Sequence, residues 1–230
     1  MDIVFILVEV TLPENVGAAA RAAKTMGISG LRVVNSDAHT KKEARWLAHA
    51  SGDILDNIQS FDSFDDAVSD LDFIVASTAR KRSVKLHYHP VEELLSFLKS
   101  KGKCVKKTGI VFGSEESGLD NEILRKCDLA ATIPLRTTYP SLNLAQAVMI
   151  FAYELSDIHA MLDFESDSGI QKSTYKIFRE RLEAYLKTLA VDKNENLYFR
   201  ILERVALLPE DDIKLLLSVL NRASDYPENK

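Results

Sequence analysis

Two periodicities alternate along the first 160 or so residues. Short apolar runs, rich in β-branched residues, fall at 3–10, 31–35, 73–77, 109–112 and 130–134. Each is apolar at consecutive positions rather than at every second one, which is the pattern of strands covered on both faces and so of a mostly parallel sheet. Between them, apolar residues recur at three- and four-residue spacing over 16–26, 41–50, 64–71, 91–99, 121–127 and 142–161, predicting helices that lie on the sheet. The expected class is α/β. Residues 163–169 (DFESDSG) are acidic, polar and small and read as a linker. Helical periodicity returns over 170–191, 197–208 and 211–223. The expected organisation is therefore a domain over 1–162, a linker over 163–169 and a small α-helical C-terminal extension over 170–230. The first helix of that extension carries an apolar stripe (Tyr175, Phe178, Leu182, Tyr185, Leu186, Leu189), with Lys172, Lys176, Arg179, Arg181 and Lys187 opposite it. That basic face is a candidate grip on a large polyanion.

Composition narrows the reading. A chain of 230 residues that is 46% hydrophobic can bury an ordinary core. The longest early apolar run, Ile3 to Val8, is far too short for a membrane span and follows Met1-Asp2 rather than a basic segment. Cys104 and Cys127 form no metal-binding spacing, so the expectation is a reducing, cytoplasmic setting, no structural metal, and two small core residues. With 29 Lys+Arg against 34 Asp+Glu, the net charge of −5 gives no overall attraction for nucleic acid. A local patch can supply it: Arg80, Lys81, Arg82 and Lys85 lie within six residues.

Three segments carry candidate chemistry. In VEVTLPENVGAAARAAKTMG, Asn15 could cap a helix, Gly17 allows close approach, and Arg21 and Lys24 stand among small residues at a spacing that puts them on one side. A helix N-terminus with two cations in reach suits an anionic ligand. In GIVFGSEESGLDNEIL, Gly113 and Gly118 bracket the adjacent carboxylates Glu115 and Glu116 at the carboxyl end of a buried strand, where α/β sheets place their ligands. In IPLRTTYPSLNLAQAVMIFAYEL, Ser141 is the expected N-cap of the next helix, which leaves Asn143 inside a first turn where asparagine has no propensity advantage.

Together, in this order and spacing, ENVGAAARAAKTMG, FGSEESGL and IPLRTTYPSLNLAQAV resemble the three motifs of the SpoU (SPOUT) family of RNA 2′-O-ribose methyltransferases, with a TrmJ-like pattern in KTMG, the STAR segment at Ser77 to Arg80, and the helical tail. The resemblance covers about residues 3 to 160. It implies a Rossmann-like parallel sheet closed by a C-terminal trefoil knot, otherwise essentially absent from proteins. It further implies S-adenosyl-L-methionine as methyl donor, no metal, a tRNA or rRNA substrate with the anticodon loop of tRNA favoured, no membrane, and a homodimer. Matched motif by motif, the donor would be held by Ser77, Thr78, Ala79, Gly113, Ile133, Leu135, Ser141 and Leu142. The family's functional side chains fall on Asn15, Arg21, Glu115, Ser141 and Asn143. RNA contacts fall on Arg21, Lys24, Arg80, Lys81, Arg82 and Lys85. Ser114 departs from the Asn or Arg common at its position.

A guanidinium is not deprotonated in a protein, so the role expected of Arg21 is to grip a phosphate or to stabilise a developing alkoxide, with Glu115 orienting Arg21 or Asn15. The sequence leaves open whether the general base is Arg21 itself or solvent. Two other functions stay open on the sequence alone: a non-catalytic RNA-binding protein retaining the fold, and a knotted base methyltransferase. The small residues of 16–26 and 142–161 are the expected dimer contact, placing each Arg21 at the partner's site.

Overall fold

A computed structural model describes residues 1–79, 82, 84, 87–136, 142–158 and 172–225. Seven strands form one all-parallel sheet among them: β1 (Asp2–Val8), β2 (Gly30–Val34), β3 (Gln59–Phe61), β4 (Phe73–Ser77), β5 (His89–Pro90), β6 (Lys107–Phe112) and β7 (Leu129–Thr132), in the order β3-β2-β1-β6-β4-β7-β5. The five expected strands are all present, within about two residues at their ends. The two additional ones are edge strands of three and two residues, too short to show a period, and Pro90 can stand in β5 because it ends an edge strand with no ladder donor required of it.

Both faces of the sheet are covered. Ile3, Phe5 and Leu7 of β1 point into one apolar cluster and Val4, Ile6 and Val8 into another, the alternation that a pleated strand imposes. On the first face lie α1 (Pro13–Thr25), α2 (Lys42–Ala48), α3 (Gly52–Asp56), α5 (Val91–Ser100) and α7 (Leu144–Leu155). The second face is covered by α4 (Phe64–Val68) and α6 (Asn121–Lys126). α1 and α2 touch closely: a Cβ on Gly17 would come within 2.0 Å of the Ala44 carbonyl oxygen, so only glycine fits there. The single helix expected over 41–50 ends at Ala48 because His49 takes φ +46°; a short 3-10 turn then leads into α3. The 163–169 linker and the end of the helix expected over 142–161 lie outside the described residues.

The tail forms α8 (Thr174–Thr188), α9 (Glu195–Ala206) and α10 (Glu210–Asp225). Tyr175, Phe178, Ala206, Ile213 and Leu220 join the same apolar cluster as β1 and α1. The docking is polar as well, at the amino ends of the strands. Asp128, just before β7, is buried and accepts hydrogen bonds from the Ile74 N–H at 2.8 Å and the Tyr175 hydroxyl at 2.9 Å, and it pairs with Arg179. Lys101, the C-cap of α5, is fully buried. Its ammonium donates to the carbonyls of Ala206 and Leu208 and lies 4.5 Å, 5.3 Å and 5.5 Å from the ring centres of Phe97, Phe73 and Tyr175. Burial pulls its pKa down to about 8. Lys176 donates to the carbonyls of Ser69 and Leu71. Two of the five cations expected on an RNA-facing surface, Lys176 and Arg179, are thus engaged in holding the tail to the sheet, because backbone carbonyls and a buried carboxylate at the strand ends need partners. Along the expected apolar stripe, Tyr185 and Leu189 are exposed.

Candidate active site

At the opposite, carboxyl ends of β4, β6 and β7 the chain leaves a cleft of about 280 Å³. Its walls include Ser77, Thr78 and Ala79 after β4, Gly113 after β6, and Ile133, Leu135 and Leu142 after β7. These are all the described residues of the set expected to hold a methyl donor; Ser141 lies outside the described residues, as do Thr137 to Pro140. Phe112, Leu119, Leu144 and Ala147 add apolar wall that was not anticipated, since nothing in an ordinary core pattern marks a residue as lining a cleft.

Gly113 has a geometric reason to be glycine. A Cβ there would stand 2.1 Å from the Gly118 carbonyl carbon, where the turn 114–117 folds back on itself through a bridge between Ser114 and Gly118. Gly118 itself takes φ +69°. Ser114, standing where the family usually has Asn or Arg, closes this turn: its hydroxyl pairs with that of Ser117 at 2.8 Å and accepts from the Ser117 N–H at 3.3 Å. The side chain is spent on the loop.

The three motifs meet in one chain of hydrogen bonds. The Asn143 amide donates to Asn15 Oδ1 at 3.0 Å, and Asn15 Nδ2 donates to Glu115 Oε1 at 2.8 Å. Glu115 also accepts from the backbone N–H groups of Thr11 and Leu12 and from the Thr11 hydroxyl. Its carboxylate therefore caps the start of α1, whose Leu12 N-cap offers no side-chain acceptor and whose first position is Pro13. Burial would push the Glu115 carboxyl up, but the hydrogen bonds from Asn15 and the backbone outweigh it, and the net shift is downward. Asn15 is buried within the first turn rather than capping the helix. Asn143, in turn, is the N-cap of α7, in a capping box with Gln146, where Ser141 was the expected cap. The cap falls two residues later than expected because the loop delivers its asparagine to the helix start.

Glu115 orients Asn15 and not Arg21. Arg21 lies on the exposed face of α1, outside the cleft lining, with no ion pair among the described residues. Lys24 is drawn to Asp53 at 2.6 Å and to the Ala50 carbonyl. Arg82 lines the cleft and reaches across it, donating to the Ser117 carbonyl at 3.0 Å. Its backbone N–H and C=O are both bonded to the Tyr88 hydroxyl, a brace that no sequence motif announced. Arg80, Lys81 and Lys85 lie outside the described residues. Among the described residues there is no cluster of side chains able to hold a metal ion, and no helix is long and apolar enough to cross a membrane.

A deep parallel sheet with a glycine-cornered cleft at its carboxyl ends, tied to the first helix by Asn15, Glu115 and Asn143, defines an α/β enzyme of the SpoU methyltransferase class. The chain belongs to the SpoU rRNA Methylase family, whose sequence profile matches residues 2–153. It is 43% identical over 223 residues to the uncharacterized tRNA/rRNA methyltransferase LasT of Escherichia coli (strain K12), covering 96% of both chains. It is 34% identical to the tRNA (cytidine/uridine-2′-O-)-methyltransferase TrmJ of Sodalis glossinidius (strain morsitans), covering 82% of this chain and 73% of that one. In structure it resembles TrmJ from Z. mobilis ZM4, with a TM-score of 0.67 at 25% identity over 97% of this chain and all of that one.

Proposed function

We propose that the protein transfers a methyl group from S-adenosylmethionine to a ribose 2′-hydroxyl of tRNA, in the anticodon loop. The observation that carries this reading is the cleft: its lining coincides with the donor-binding positions that the motifs imply. The TrmJ relative, named as acting on cytidine and uridine 2′-oxygens of tRNA, favours ribose over base chemistry.

The cleft fits the donor. Its corner at Gly113 has no room for a side chain, Ser77, Thr78 and Ala79 bring backbone groups to its wall, and Ile133, Leu135, Leu142 and Leu144 offer an apolar bed for a purine. When bound, the donor supplies an electrophilic methyl on a sulfonium. Asn15, Glu115 and Asn143 act as positioning residues that fix the start of α1 against the loops around the cleft. Arg21 stays protonated and holds the phosphate beside the acceptor ribose or stabilises the developing alkoxide; the proton leaves to solvent. Because Arg21 does not line its own chain's cleft, it serves a second copy's, in a homodimer through α1 and α7, where Leu12, Met149 and Tyr153 are exposed.

The test is Arg21→Ala in the full-length protein. Methyl transfer to tRNA should be lost, while donor affinity by calorimetry and the unfolding midpoint stay near wild type, because an exposed helical arginine adds little to stability. Substantial turnover by this variant would overturn the assignment, as would a monomer of full activity by light scattering.

A further inference from the structure

The chain has one tryptophan, and the fold leaves it outside: Trp46 on α2 is 62% exposed. A large ring displayed on a seven-residue helix contributes little to the core, and α2 already packs on α1 through the buried Ala44 and Ala48, on its other side. Lys42 lies over one face of the indole, its ammonium 5.6 Å from the ring centre. Lys41 and Arg45 are exposed on the same short helix and its cap, and their partners Asp37 and Asp56 are exposed too. Such surface pairs are worth little and open readily to a stronger anion. Helical spacing puts Arg21 one turn beyond Gly17, on the flank of α1 that α2 crosses at Ala44.

We propose that Trp46 is a stacking platform for an unpaired base of the RNA substrate, with Lys42 and Arg45 taking the flanking phosphates. This rests on the proposed RNA methylation and extends it: a strand gripped by Arg21 runs next across α2. Aromatic side chains flanked by cations are how proteins hold unstacked bases, and every base has a π-face to offer, so the contact tolerates sequence. Charge complementarity selects RNA over a protein partner, since an apolar protein patch would gain nothing from Lys42 over the ring or from Lys41 and Arg45 on the same helix and its cap.

The single tryptophan makes the test direct, because all indole fluorescence of the full-length protein reports position 46. Titration with purified total tRNA should quench that emission and protect it from acrylamide. Trp46→Ala should weaken tRNA binding by roughly tenfold, and Trp46→Phe by less, with donor binding unchanged. Emission and accessibility unaltered at saturating tRNA would overturn the proposal, as would wild-type affinity in Trp46→Ala. A change of oligomeric state in Trp46→Ala with RNA affinity intact would also overturn it and make the surface a protein contact. Absence of any tRNA binding or methylation by the wild type would instead refute the function on which the proposal rests.

Discussion

The two ends of the sheet use charge in opposite ways. At the amino ends, Asp128 and Lys101 are withdrawn from water and fully engaged, and a tail more than forty residues further on in sequence supplies Tyr175 and Arg179 to the carboxylate and the Ala206 and Leu208 carbonyls to the ammonium. At the carboxyl ends, Glu116 and Arg82 stay accessible or only partly covered, and the tight network Asn143–Asn15–Glu115 binds loops to a helix start. Buried charge at one end fixes the architecture; at the other, accessible charge is left for a ligand. A cationic residue in this chain is therefore not a nucleic-acid contact by virtue of its sign alone.

The sharpest way to break that contrast is at Asp128. Asp128→Ala leaves Arg179 facing a buried gap and strips the Ile74 N–H of its partner, and should cost about 3–5 kcal/mol in urea unfolding. A loss below about 1 kcal/mol would mean the tail is held by its apolar contacts alone. Lys101 sharpens the comparison through pH. Its folded pKa, near 8, lies below the ordinary lysine value of 10.5, so between those limits the unfolded chain binds more protons and the fold gains stability as pH rises. Wild type should gain on Lys101→Met between pH 7.5 and 9.5, by about 2 kcal/mol; parallel unfolding midpoints at the two pH values would remove Lys101 from the account.

At the other end, Asn15→Ala should lower methyl transfer by about a hundredfold with donor affinity within a few fold, since it misplaces the start of α1 without touching the cleft wall. Glu115 adds a sign. Its carboxyl is held below the usual range, so its contribution is complete above the unfolded value and fades as pH falls through the folded one. Glu115→Gln should flatten the acid limb of the stability profile; an unchanged limb would show that the carboxylate's charge does not matter to the clasp. The smallest effect belongs to the exposed Lys24–Asp53 pair, where Asp53→Ala should leave the urea unfolding midpoint indistinguishable from wild type, and a clear shift would show that this surface pair holds α1 to α3.

Much of this was legible in the sequence. Runs such as Phe73 to Ser77 announce buried strands because covering both faces leaves no polar alternation, and β4 falls on that run at both ends. The cleft could be placed because its residues fall in motifs that resemble those of the SpoU family, and one of them, Gly113, leaves no room for a side chain. Partnerships were harder to read. Nothing in local spacing joins Asn15 to Glu115, Asp128 to Arg179, or Tyr88 to Arg82. The first two are set by which strand ends the topology brings together, and so Arg179 read as part of an RNA-gripping face and Asn143 as an asparagine inside a first turn. His49 hides its break in α2 because its positive φ carries no mark in residue type.

The position of β6 between β1 and β4 has a consequence for how the chain is made. β1 ends at Val8, yet its partner at Lys107–Phe112 is synthesised about a hundred residues later, and a ribosome adding roughly 5–20 residues per second needs about 5–20 s to deliver it. For that interval β2 can pair one edge of β1 while the other edge, six apolar residues long, presents unmatched N–H and C=O groups to whatever is near. Birth of the protein thus includes a waiting period in which its most hydrophobic strand is a template without a partner, and slower translation across residues 9–106 should cost yield of folded enzyme rather than the stability of what is eventually folded.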